Sequence, residues 1–175
     1  MNIAIDIGHA RNTGAVGNGL EEHAVNTVIA PLLADRLRKY GHTVDIIDYP
    51  DKSNTDDLNA TVRAVNAGGY DLCISLHCDS SDNPVARGAH VCYVSNGGME
   101  LAQCIAWHLC ALLPGRAEMT VRRTNLAILS QTRPISVLCE CGFITHLHDS
   151  KIQRDDPDSI AKAIADGVND YTKRH

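Results

Sequence analysis

Aromatic residues are scarce in this 175-residue chain: one Trp, one Phe and five Tyr make up 4%. The core must therefore be filled by Val, Ile, Leu, Ala and Cys, which a hydrophobic content of 44% allows. That content excludes a disordered or fibrous chain. Clustered basic residues are missing too. The 16 Lys and Arg are scattered among 21 Asp and Glu for a net charge of -5, so the footprint of a nucleic-acid binder is absent. No apolar run is long enough to cross a membrane. Asp6 interrupts the N-terminal apolar run and no basic segment precedes it, so no secretory leader is read. Seven Cys, an odd number without regular spacing, form no disulfide framework. Cys73, Cys104, Cys110 and Cys139 lie inside apolar runs and read as small buried hydrophobes kept reduced. Repeats, low-complexity stretches and long linkers are absent, and the length suits one domain over residues 1–175.

What is present is an alternation of strand and helix signals. Strands are predicted at Asn2–Ile7, Thr43–Ile47, Asp71–His77, Ala89–Val94, Asn125–Leu129 and Ile135–Glu140. A helix is predicted at Glu22–Tyr40, where Val25, Val28, Ile29, Leu32, Leu33 and Leu37 share one face, with Gly41 at the position of a terminating glycine. Further helices are predicted at Asp56–Asn66, Met99–Leu113 and Asp158–Tyr171. The order implies an α/β domain with a largely parallel sheet covered on both faces.

Ligands of open α/β sheets bind beyond the carboxyl ends of the strands. His9 ends the first strand, His77 the third and Glu140 the last, while Glu22 opens the first helix. Two imidazoles and a carboxylate are a common donor set for catalytic zinc, with room for water. A second carboxylate can then act as general base. Taken singly, each His is more simply a solvated or hydrogen-bonded strand end, and each carboxylate is as often a helix cap or a surface charge.

The same residues carry a family resemblance. Asp6-Ile7-Gly8-His9 followed by Gly14-Ala15-Val16-Gly17-Asn18-Gly19-Leu20, then Glu22 with Asn26, then Asn66 with Ile74-Ser75-Leu76-His77, then Val137-Leu138-Cys139-Glu140-Cys141-Gly142-Phe143 stand in order along nearly the whole chain. In these blocks the sequence resembles the zinc-dependent N-acetylmuramoyl-L-alanine amidases of type 3, cell-wall hydrolases and phage lysins. The resemblance implies one Zn²⁺ held by His9, Glu22 and His77, with Glu140 as the catalytic acid and base. It implies a three-layer α/β/α fold with a mostly parallel sheet of about six strands. It also implies hydrolysis of the bond between N-acetylmuramic acid and L-alanine, with peptidoglycan as the partner. From the sequence neither a nucleic-acid partner nor a membrane span is expected, and a monomer is. A chain made in the cytoplasm without a leader is then expected to reach the wall after delivery. A wall-binding module without catalysis and a zinc amidase for another acyl-amino substrate are the alternatives.

The pattern departs from the family at Ile47-Asp48, where a Thr-Arg pair is usual, at Cys78-Asp79 and at His146. Glu21 reads as a solvated neighbour of Glu22, and Asp6 as either a partner of a metal ligand or a buried acid bonded to backbone. Gly14, Gly17 and Gly19 lack the order of a dinucleotide or phosphate loop and read as a flexible connection from His9 to Glu22. His146 and His148 read as a solvated loop near the site, and His23, His42, His90, His108 and His175 as surface or loop residues. Trp107 and Tyr93 read as packing residues. The stretch Cys78 to Val94 is too short to place a blocking helix over the site, so an open groove is expected.

Overall fold

Ile3, Ile5 and Ile7 alternate with Ala4 and Asp6 along β1 (Asn2–Ile7), and this alternation sets the two faces of a central sheet. The computed structural model describes residues 1–175. After β1 come a small hairpin, β2 (Val16–Gly17) and β3 (Leu20–Glu21), then α1 (Glu22–Lys39), β4 (Thr43–Ile47), α2 (Asn54–Ala67) and β5 (Leu72–Asp79). They are followed by β6 (His90–Tyr93), α3 (Asn96–Leu112), β7 (Thr120–Arg122), α4 (Ala127–Ser130), β8 (Ile135–Phe143), α5 (Leu147–Asp155) and α6 (Pro157–Thr172).

The large sheet has the order β4-β1-β5-β8-β6-β7. Its first four strands run parallel. β6 lies antiparallel to β8, and β7 runs parallel to β6. Ile3, Ile5 and Ile7 join a core of 35 residues that includes apolar positions of α1, α3 and α6, and its one aromatic is Tyr171. Ala4 joins a smaller cluster with Val65 of α2, Ile128 and Leu129 of α4 and Leu138 of β8. The molecule is thus three-layered, with a thick helical layer on one face and a thin one on the other. All seven Cys are buried thiols without disulfides.

Three predicted elements are corrected. Asn125–Leu129 is not a strand: its apolar run is short enough to suit either element, and Ala127–Ser130 forms a helical turn that buries Ile128 and Leu129 in the small cluster. The sheet edge is taken instead by Thr120–Arg122, too short and polar to announce itself. The presumed loop after Thr145 is the helix Leu147–Asp155, with Asp149 wholly buried and accepting from the N–H groups of Gly88 and Phe143. The connection to Glu22 is a hairpin whose tip, Asn18-Gly19, has φ of 50° and 76° and so adopts the left-handed turn that Asn-Gly favours. Trp107 is 72% exposed rather than packed. His23 and His90 are buried: His23 meets Asp48 at 3.0 Å, and His90 sits on β6.

Candidate metal centre

Strand alternation carries the polar residues to the thin face of the sheet. Cys139 and Cys141 point into the large core and Leu138 into the small one, so Glu140 faces the α2 and α4 side. His77 and Glu140 are register partners on adjacent strands.

His9 follows β1 with φ of 66°, a left-handed conformation that costs a residue with a Cβ ~1–3 kcal/mol and often marks a functional position. Its Nδ1–H donates to Asn54 Oδ1 at 3.0 Å, because the amide oxygen is only an acceptor. The lone pair of Nε2 is thereby left facing Glu22 Oε2, 3.5 Å away. Glu22 is 2% exposed. Its Oε2 accepts from the N–H of Ala15 at 2.7 Å and its Oε1 from the N–H of Cys78 at 2.8 Å, so backbone from two segments fixes the carboxylate plane. His77 Nδ1 lies 3.1 Å from Glu22 Oε1. The far side of the His77 ring rests against Gly8, where a Cβ would come within 2.3 Å of Nε2.

One donor atom from each of His9, Glu22 and His77 therefore lies within 4.8 Å of the others. Tetrahedral coordination with bonds of ~2.0–2.2 Å separates neighbouring donors by about 3.3 Å. His77 meets one oxygen of Glu22 at 3.1 Å and His9 the other at 3.5 Å, so small side-chain rotations would bring one donor from each to that spacing, and two imidazole nitrogens with one carboxylate suit a divalent ion.

The charges of the metal-free chain follow the same contacts. Burial opposes ionisation of Glu22, but hydrogen bonding to His77, the charges of His77 and His9, and the Ala15 N–H outweigh it and hold the carboxyl below its ordinary value. Burial likewise opposes protonation of His77, yet the bond to Glu22 and the charges of Glu140, Glu22 and Asp6 raise it to about 9. In the metal-free chain His77 thus keeps a proton beside Glu22, and a metal ion held by this pair would have to displace it. Glu140 is raised to about 7, first by burial, against the pull of His77 and with the push of Asp79 and Glu22. Its Oε2 is buried without a hydrogen-bond partner.

Several neighbours play parts that differ from the sequence reading. Glu21 caps α1, accepting from the N–H of Ala24 at 3.2 Å, so it is structural rather than merely solvated. Asp6 bonds neither to a ligand nor to backbone but accepts from Ser75 Oγ at 2.6 Å. Cys78 Sγ turns into the core toward Asn26. The amide of Asn26 donates to the Leu76 carbonyl and so pins the end of β5 to α1. Between Asp79 and His90 the chain forms no helix. His90 is held down to about 4 by burial and by Arg116 and Arg123, so it meets Asp79 at 3.4 Å as a neutral ring. Asn54 had no signal in the sequence, since an Asn opening a helix is ordinary.

Two outcomes test this geometry. Asn54→Ala frees the His9 ring and its tautomer, and metal affinity measured by calorimetry is expected to fall ~10–100-fold. Gly8→Ala drives a methyl into His77 and the Leu76 carbonyl, and should lose more affinity than Asn54→Ala, with a lower melting temperature.

The family described as N-acetylmuramoyl-L-alanine amidase matches residues 3–170. The N-acetylmuramoyl-L-alanine amidase LytC of Bacillus subtilis (strain 168) is 31% identical over 180 residues, covering 97% of this chain and 35% of LytC. The chain thus spans about a third of LytC's length. The solved catalytic domain of the CD27L endolysin targeting Clostridia Difficile superposes with a TM-score of 0.88 at 35% identity, over 96% of each chain. The amidase Ami1 from Mycobacterium smegmatis shares the fold, with a TM-score of 0.89 at 19% identity over 100% of this chain and 98% of its own.

Proposed function

The chain belongs to the N-acetylmuramoyl-L-alanine amidase family, and from that premise we propose that it hydrolyses the amide between N-acetylmuramic acid and L-alanine in peptidoglycan. In this reading His9, Glu22 and His77 hold one zinc ion and Glu140 is the catalytic acid and base. The observation that supports it most is the convergence of three donor atoms within 4.8 Å, beside a buried carboxyl whose Oε2 has no partner.

Zinc, when bound, supplies Lewis-acid polarisation and lowers the pKa of water from ~15.7 to roughly 7. The rest falls to side chains of this chain. Asn54 keeps the proton of His9 on Nδ1, so that Nε2 stays a donor. The Ala15 and Cys78 N–H groups keep Glu22 from turning away. Glu140 accepts a proton from the water that attacks the carbonyl carbon. It then gives that proton to the alanine nitrogen as the C–N bond breaks. A carboxyl raised to about 7 suits both transfers near neutral pH. One chain supplies all four groups, so a monomer suffices. No helix is long and apolar enough to cross a membrane, and the wall itself is the proposed place of action.

Purified protein with added zinc should release new alanine amino termini from peptidoglycan, read by end-group labelling and mass spectrometry. A chelator should stop the release and zinc should restore it. New reducing sugar ends would point to a glycosidase, and no release at all would leave only a wall-binding role.

A further inference from the structure

Beside the two imidazoles lies a recess of about 120 Å³, lined in part by His9 and His77. It opens between α2 and α4, on the face of the sheet that Glu140 shares. Leu58, Leu126, Ile128 and Leu138 give it apolar walls, and the carboxyls of Asp6 and Asp57 interrupt them. Asp6 is engaged by Ser75. Asp57 is different: it is 4% exposed, and its Oδ1 has no hydrogen-bond partner. A buried acceptor without a donor is costly, and in a native protein it calls for a ligand or an ordered water. The space is that of roughly four waters. The walls facing the recess are mostly apolar although His9, Asn54 and His77 also border it, and a methyl group beside an N–H would match both those walls and the free acceptor.

We propose that this recess is a substrate subsite for a small methyl-bearing group that carries an N–H donor, with Asp57 accepting the hydrogen bond. The inference rests on the amidase reading. Two parts of a muramoyl peptide next to the scissile bond have this chemistry: the acetamido group of the sugar and the alanyl residue. A chain whose recess holds one of them recognises the substrate within a few atoms of the bond it cuts, independently of the rest of the wall.

The test uses zinc-loaded protein and three soluble muramoyl dipeptides: the N-acetylated L-alanyl compound, its free-amine counterpart and its glycyl counterpart. Losing the group that the recess holds should lower wild-type kcat/KM by ~10-fold or more, and the substrate that suffers identifies the group. Ile128→Phe fills the recess from its apolar wall. Ala127→Leu does so from a partly exposed position. Both variants should lower kcat/KM for the intact compound toward that of the trimmed one, with bound zinc unchanged. In a Glu140→Gln background, the Kd for the intact compound should weaken by a similar factor. Wild-type protein that treats all three compounds alike, or recess variants that keep the wild-type ratios, would overturn the subsite while leaving the amidase reading in place. Zinc-loaded wild type that cleaves none of them would overturn both.

Discussion

Glu140→Gln is expected to lower the rate of amide hydrolysis by ~10²–10⁴-fold while one metal ion per chain stays bound. The amide has the shape of the acid and sits on the same strand, beside His77 in register, but it cannot take and return a proton. A stability effect of opposite sign accompanies it. Burial raises the Glu140 carboxyl to about 7 in the fold, above its ordinary value of 4.5. A raised acid binds its proton more tightly in the folded chain, so stability falls as pH rises from 4.5 to about 7 and the loss is complete above that. In metal-free protein the Gln variant should therefore melt higher than wild type at pH 8.5, and the difference should vanish near pH 4. Loss of activity with loss of metal would assign Glu140 to the metal site instead, and a rate within a few-fold of wild type would remove it from the chemistry.

His77→Ala should abolish metal binding, a larger loss than the ~10–100-fold expected for a residue that only orients a ligand. Its second effect is on pH dependence. In the metal-free chain His77 is raised from 6.5 to about 9, with burial opposing and Glu22, Glu140 and Asp6 prevailing. A raised base contributes stability that is fully present below pH 6.5 and is lost as pH rises through 9. Glu22, held below its ordinary 4.5, contributes stability above that value and loses it in acid. Metal-free wild type should thus lose melting temperature between pH 6.5 and 9.5, and His77→Ala should lose much of that slope. Zinc affinity should run the other way. Binding must displace the His77 proton, so affinity should rise ~10-fold per pH unit up to about 9 from this group. Calorimetry in buffers of different ionisation enthalpy would read the released proton directly.

The large features of this molecule were legible because they rest on long, regular signals. Ile3, Ile5 and Ile7 announce a strand, and the apolar stripe of α1 announces a helix whose observed span, Glu22–Lys39, ends one residue short of the predicted one. The polar residues at strand ends could be named because ligands collect where parallel strands stop. Short elements could not be placed. Three residues of β7 and four of α4 carry too little pattern to separate strand from turn, and only tertiary packing against β6 and β8 decides them. The supports of the centre were equally silent. Asn54 lies 45 residues from His9, and the Ala15 and Cys78 N–H groups have no side-chain signature at all. Glu21 and Glu22 are adjacent acids with unlike roles: the resemblance singled out Glu22, which faces the histidines, but that Glu21 caps α1 is visible only once the hairpin before them is placed.

A crystal of the zinc-loaded protein, with anomalous scattering recorded across the zinc absorption edge, would read the centre without reference to activity. One strong peak is predicted per chain, within bonding distance of Nε2 of His9, the Glu22 carboxylate and Nδ1 of His77, with Glu140 beside it. A peak at other residues, such as His146 and His148, or no peak in protein that still releases alanine amino termini from peptidoglycan, would contradict the account.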